Sequence, residues 1–359
     1  MRIVGIGGGT GLPVLLRGLR QLREQNGDGA GDDRVCTTAI VCVSDDGGSS
    51  GLLRQAFGIP AVGDLRNCLV ALSSGSPALR DLFQYRLQAD CGLDGHAIGN
   101  LIVAALSARS GNLRHAIRLA SEFLDLQGDV LPCTEISASL CAEFCGGEIV
   151  SGETRIAARR KRIRRLWLDP LDVPATPGVI ETLLSADAIV LGPGSLHTSV
   201  IPNLLPAGVA QAVRESAALK ILVCNLMTQP GETERFTAAD HVRVVQSYIG
   251  ETSLHICLLN SRAIPDSVAN QYASTGAEQV FIDEPELLRS GAVPIATDLL
   301  AESDREVRHD PMKLARWIVA LTRAYQRTRE LDAGDVRCFT SASSGGTEAI
   351  PNVAVQVAS

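Results

Sequence analysis

Aromatic residues make up only 4% of this chain of 359 residues. Aliphatic side chains must therefore fill the core, and a stacking platform for single-stranded nucleic acid lacks its raw material. Positive charge is also in deficit. The formal net charge is −7, which gives no general attraction to nucleic acid or to an anionic membrane. No apolar run approaches the ~20 residues of a membrane span. The N-terminus has no basic stretch followed by a long apolar one; it enters RIVGIGGGTG directly, and we expect a cytoplasmic protein. Ten cysteines are present, but no CxxC pair. A zinc site needs tighter ligand pairs than Cys141 and Cys145, four apart. The cysteines read as reduced thiols serving as small apolar residues.

Glycine, in contrast, is concentrated. Five glycine-rich, polar-tipped loops lie beside apolar runs: GIGGGTGLP (5–13), SDDGGSSG (44–51), GDLRN (63–67), GHAIGN (95–100) and LGPGSLHTS (191–199). Glycine lets backbone amides turn outward without a Cβ in the way, and amides grouped at a helix start attract phosphate. Several such loops in one chain suggest an elongated, anionic, nucleotide-like ligand.

The order of elements predicts an α/β fold. A short strand Arg2–Ile6, a glycine loop, a helix over LPVLLRGLRQL and an almost wholly apolar strand Val35–Val43 open a Rossmann-like, three-layer, doubly wound, mainly parallel sheet. Residues 64–125 read as mainly helical. Cys133–Val150 reads as β-structure with a turn at Gly146–Gly147, and Ile163–Leu168 as a further strand, making a small additional β/helical region. A second α/β run follows: a helix near Val179–Leu184, strand Ala188–Leu191, a helix from GPGSLHTS, strand Ile221–Cys224, further alternation through Val280–Ile282, and a last helix near Met312–Arg327. We expect one domain over 1–330 and a Ser/Gly/Ala-rich, disordered tail over 331–359.

The chemistry sits at the loop tips. GGGTG is no Walker loop, since Gly-Lys-Ser/Thr is missing. It is a poor dinucleotide fingerprint too, because Leu12 stands where the third glycine belongs. The Gly9, Thr10 and Gly11 amides and the Thr10 hydroxyl suit phosphate or ribose; a plain tight turn is the alternative. Asp45 and Asp46 are the candidates for magnesium held through waters, or one of them accepts a proton; an Asp-Gly turn is the alternative. GDLRN offers Asp64, Arg66 and Asn67 at a helix start. Arginine suits phosphate, whereas Asp64 as a simple N-cap with Arg66 paired to Asp45 or Asp46 is the structural alternative. His96 and Asn100 share a helical face but lack a third metal ligand. Gly194, Ser195, Thr198 and Ser199 suit a second phosphate, and His197 occupies the place of the glycine that a serine-hydrolase elbow needs. Arg155–Arg165 holds seven basic residues, either a surface for an anionic partner or a charged edge hairpin.

The ordered set GGGTGLPVLLRGL, VSDDGGSSG, GDLRN, GHAIGNL, LGPGSLHTSVIPNLL, NLMTQPGET and VRHDP resembles the bacterial gluconeogenesis factor family, within the 2-phospho-L-lactate transferase (CofD-like) superfamily. The likeness runs from residue 1 to about 327. It implies a Rossmann-like, oligomeric regulator that binds UDP-sugars such as UDP-N-acetylglucosamine and supports cell shape and cell-wall precursor supply on gluconeogenic carbon. Carried over by motif, ligand contacts fall on Gly9, Thr10, Gly11, Asn225, Thr228, Tyr272, Arg308 and His309, with Gly194, Ser195, Arg66 and Asn67 nearby. The transferase relatives imply an alternative: a magnesium-dependent enzyme acting on a nucleotide-diphosphate donor, with Asp45, Asp46 and Asp64 as catalytic candidates. This chain follows the gluconeogenesis-factor pattern, so the expectation leans away from catalysis. It includes no nucleic-acid partner, a homo-oligomer and a downstream protein partner.

Overall fold

The computed structural model describes residues 1–26, 34–88, 92–303 and 306–333. Among these residues, ten strands form two sheets. They are β1 (Arg2–Gly7), β2 (Cys36–Val41), β3 (Asp129–Pro132), β4 (Ser139–Phe144), β5 (Ile149–Ser151), β6 (Ile163–Asp169), β7 (Ala188–Leu191), β8 (Leu219–Val223), β9 (Ile256–Asn260) and β10 (Val293–Thr297). The main sheet has seven parallel strands in the order β10-β9-β8-β7-β1-β2-β3. β7 and β8 are buried along their whole length and β1 along all but its first residue. Helices cover both faces of such a sheet, so its strands carry unbroken apolar runs. The edge strands β3 and β10 are partly exposed, and each holds a proline, which an edge tolerates.

The chain winds outward from β1 through β2 to β3, returns to place β7 on the other side of β1, and winds outward again to β10. The order therefore reverses between β1 and β7, where the loops leaving the two strands diverge and open a crevice. Helix α1 (Leu12–Asn26) leaves the first of these loops. It packs on α3 (Gly63–Leu72), which follows the short α2 (Gly48–Phe57), and on the last helix, Pro311–Ala333. The last helix crosses α1 at Gly18, where any Cβ would collide with the Pro311 carbonyl. That close approach carries the preceding residues Arg308 and His309 to the first glycine loop.

The smaller sheet, β5-β4-β6, is antiparallel. Its first hairpin turns at Gly146–Gly147, with Gly147 at φ +82. The charged segment that follows lies largely along it as ion pairs: Arg159 and Lys161 hold Glu148, and Arg164 and Arg165 hold Glu143.

Several expectations need correction. Val280–Ile282 is no strand; Gln279 and Phe281 make only isolated bridges, to Met227 and Thr237, and the outer places of the sheet belong to β9 and β10. The second half of SDDGGSSG is already the first turn of α2. GPGSLHTS leads not into an α-helix but into a π-turn, Leu196–Val200, and then a 3-10 turn, Ile201–Leu204. The last helix runs on to Ala333, past the expected boundary at 330; residues 334–359 of the expected tail lie outside the described residues. Every described cysteine is a free thiol.

Candidate functional site

The loops after β1, β7 and β8 enclose a cleft of about 620 Å³, within the range of small-molecule sites. The first loop contributes Gly9, Thr10 and Gly11, the second Gly194 and Ser195, and the third Asn225 and Thr228. Tyr272, Arg308 and His309 close it from the far side. The first two loops touch: a Cβ on Gly11 would strike the Pro193 carbonyl, and Gly9 turns at φ +60. Only glycine permits that approach, which leaves backbone rather than side chain as the cleft floor.

Hydrogen bonds fix the walls. Asn225 donates to Gln229 Oε1 (3.1 Å), and Gln229 Nε2 donates to Ser195 Oγ (2.7 Å). Thr228 is tied to Glu278 in both directions: its N–H donates to the Glu278 carbonyl at 2.7 Å, and the Glu278 N–H donates to its hydroxyl oxygen at 3.0 Å. Tyr272 accepts the Val307 amide at 3.2 Å, and Arg308 Nη1 donates to Thr10 Oγ1 at 3.2 Å. Tyr272 therefore anchors the segment that presents Arg308. His309 is held by a β-bridge to Leu300. Burial lowers its pKa to about 4, so it is neutral near physiological pH, and its Nε2 is buried with no partner.

Carboxylates gather at one end of the cleft. Glu153 and Glu232 line it, while Asp45, Asp46 and Asp64 stand behind. Burial, then the charges of Asp45, Asp64, Glu232 and Asp46, push Glu153 up to about 9, so it carries a proton at neutral pH. Asp64 accepts the Gly9 amide at 2.6 Å; burial still raises it to about 6. Burial raises Glu232 as well; its Oε1 accepts from Thr198, while its Oε2 has no partner. Asp46 receives the amide and hydroxyl of Thr154 at 2.9 and 2.7 Å, and Asp45 receives the Gly47 amide at 2.9 Å. Among the described residues, no three His, Cys, Asp or Glu side chains are placed to hold a metal. Asp45 and Asp46 thus make no all-protein cage, and a magnesium ion there would take most of its ligands from water or phosphate.

Known proteins share this framework. The model of the family described as 2-phospho-L-lactate transferase CofD matches residues 3–300. The "Gluconeogenesis factor" of Bacillus subtilis (strain 168) is 42% identical over 320 residues, covering 89% of this chain and 98% of that protein. The "Gluconeogenesis factor" of Listeria innocua serovar 6a is 38% identical over 320 residues, covering 89% and 95%. A crystal structure of a UPF0052 family member from Bacillus halodurans superimposes with a TM-score of 0.83 at 41% identity, covering 88% of this chain and 99% of that one. The chain belongs to the gluconeogenesis-factor branch of the CofD family.

Within this branch member, the expected residues divide into three groups. Gly9, Thr10, Gly11, Gly194, Ser195, Asn225, Thr228, Tyr272, Arg308 and His309 come together in the cleft. Asp45, Asp46 and Asp64 lie behind its acidic end. Arg66 and Asn67 instead line a neighbouring cavity, which shares Thr10 and Arg308 with the cleft. Neither structural alternative for GDLRN holds. Asp64 caps nothing, since Val62 is the N-cap of α3 and Asp64 reaches across to Gly9. Arg66 bonds to Asn67 at 2.6 Å rather than pairing with Asp45 or Asp46. His96 precedes its helix, Ile98–Ser110, and meets Ser49 Oγ at 2.9 Å, as Asn100 does at 3.0 Å; it joins a hydroxyl network, not a metal pair.

Sequence reasoning missed Glu153, Gln229, Glu232, Arg17 and Arg86. Gln229 and Glu232 lie inside the quoted motif NLMTQPGET and were available there. Glu153 sits in an unremarkable helix start and Arg17 in a helical face, and only the tertiary structure distinguishes them.

Proposed function

We propose that the cleft binds a UDP-sugar, with UDP-N-acetylglucosamine as reference ligand. We read the protein as a cytoplasmic, homo-oligomeric regulator of gluconeogenic growth, cell shape and cell-wall precursor supply that signals to a protein partner. One observation carries the ligand reading: two glycine loops floor a cleft at the reversal of strand order, and Arg308 is the only arginine or lysine among its described lining residues. Backbone amides and one guanidinium suit a diphosphate bridge. Thr10, Asn225 and the unpartnered His309 Nε2 supply neutral polar contacts for ribose or base. The names of the relatives support the regulatory half of the reading.

A second reading, magnesium-dependent transfer from a nucleotide-diphosphate donor, draws on the carboxylates at the acidic end and on the family's description. Calorimetry with UDP-N-acetylglucosamine, with and without magnesium, followed by mass analysis of the recovered ligand, separates the two. Binding with intact ligand is the expected result, and a consumed ligand would establish transfer. Arg308→Ala is expected to weaken binding about tenfold or more; undiminished affinity would overturn the placement of the diphosphate.

A further inference from the structure

Beside the cleft lies a separate cavity of about 320 Å³ with Arg17, Arg66, Arg86 and Arg308 in its wall. Thr10, Pro13, Asn67 and Gln84 complete it, so no carboxylate lines it. Four guanidiniums around one small space repel each other unless something negative stands among them.

Glu306 pairs with Arg308 Nε and so offsets one of the four charges; the other nearby acids are engaged elsewhere. Asp64, which attracts Arg66 at a distance, accepts the Gly9 amide. Glu24 pairs with Arg20, the neighbouring basic group on α1. Arg86 spends one nitrogen on the Gly95 carbonyl at 2.8 Å. Arg66 is only 5% exposed, yet its Nε is buried without a partner. A buried guanidinium with an unmade charge-assisted bond is costly. Burial and the charge of Arg86 already lower its pKa to about 10, and burial with the charges of Arg308 and Arg20 lowers Arg17. Neither shift discharges an arginine near neutral pH.

We infer that this cavity is a second anion site, distinct from the nucleotide-sugar cleft, and that it takes a phosphate dianion, as the free ion or as the phosphoryl group of a small phosphomonoester. The planar fork of arginine matches phosphate oxygens two at a time. A dianion answers the charge of the cluster better than a single carboxylate does. Its volume of about 320 Å³ accommodates a small phosphorylated metabolite. Thr10 and Arg308 stand in both walls, so occupancy of either space is felt in the other.

The test uses the full chain at fixed ionic strength, with chloride as the balancing anion. Inorganic phosphate and glycerol 3-phosphate are titrated calorimetrically into the wild type, Arg17→Gln and Arg86→Gln, and UDP-N-acetylglucosamine is titrated into the same preparations. Saturable binding of at least one phosphate probe is expected, weakened about tenfold in each variant, with nucleotide-sugar affinity held within about twofold. Tighter binding of glycerol 3-phosphate would identify a phosphomonoester, and tighter binding of inorganic phosphate the free ion. Neither variant is expected to melt below the wild type, since Arg86 gives up one exposed bond, to Gly95, and each substitution relieves repulsion within the cluster. Lack of saturable binding in the wild type, or equal binding in the variants, would overturn the inference. So would mutual exclusion of phosphate and UDP-N-acetylglucosamine, which would make the cavity part of the nucleotide site. Failure of UDP-N-acetylglucosamine to bind while phosphate binds as described would remove the nucleotide reading alone.

Discussion

The first glycine loop separates two oppositely charged regions, and one helix start serves both. From the first turn of α3, Asp64 reaches the acidic end of the cleft, and Arg66, two residues on, reaches the basic cavity. Burial works against charge on both sides, but the outcomes differ. The acidic side relieves itself chiefly at Glu153, which rises to about 9 and holds a proton near neutral pH, while Asp64 rises only to about 6. The basic side has no such escape, because Arg66 falls only to about 10. Carboxylates can be buried and made neutral near physiological pH, whereas arginines stay charged and need an anion. A proton serves one side where a ligand must serve the other.

The largest expected effect tests the acidic side. Glu153 has its pKa raised from an ordinary 4.5 to about 9. The folded state thus holds a proton that the unfolded state has released, and stability falls as pH rises from 4.5 toward 9. Glu153→Gln mimics the protonated form and removes that dependence. We expect it to stabilise the protein by about 3 kcal/mol near neutral pH, and by more toward pH 9. Urea unfolding of both proteins across this range checks it; a constant difference would show that Glu153 is ionised in the folded protein.

Removing the partition between the two regions comes next. In Gly11→Val the new side chain would meet the Pro193 carbonyl. We expect a loss of about 2 kcal/mol in stability and failure to bind UDP-N-acetylglucosamine at concentrations that saturate the wild type. Calorimetry at a temperature where the variant is folded reads the second effect apart from the first. Normal affinity would mean that the two loops do not jointly form the floor.

How much of this was legible in the sequence depended on whether a feature was local. β1, β2, β7 and β8 showed as mainly apolar runs because burial on both faces favours apolar residues, Thr37 and Thr38 in β2 and the buried Lys220 in β8 being the exceptions. The glycine loops showed because their conformation requires glycine. β10 escaped, since a short run such as VPIAT resembles many buried segments, and the apolar triplet Val280–Ile282 was taken in its place. Most cleft residues were found through ordered motifs at strand ends, whereas Tyr272 lies in the helix Asp266–Ala273 and Arg308 and His309 just before the last helix, and these came through the family resemblance. The arginine cavity was not, because Arg17, Arg66, Arg86 and Arg308 come from four separate stretches and no spacing links them. The carboxylates posed the same problem: Asp45 and Asp46 drew attention as a pair, while Glu153, more strongly perturbed than Asp64, had no motif around it.

The smallest effect belongs to Asp64, and its size follows from two opposing contributions. Its pKa rises from 3.8 to about 6, chiefly through burial. The wild type is therefore relatively most stable below pH 3.8 and loses stability as pH rises through about 6, a net deficit of about 3 kcal/mol that already counts the Gly9 bond and the Arg66 attraction. Asp64→Asn removes that titration, and its side-chain oxygen can still accept the Gly9 amide. Its amide nitrogen, however, puts donors where the carboxylate had an acceptor, at a cost of about 2 kcal/mol at every pH. We expect about 1 kcal/mol of added stability above pH 6, and a loss of about 2 kcal/mol near pH 4. Unfolding curves for the two proteins at those pH values decide it. A destabilised variant at neutral pH would mean that the carboxylate matters more to Gly9 and Arg66 than burial costs it, and the contrast between a side relieved by protons and a side that needs an anion would then hold at Glu153 alone.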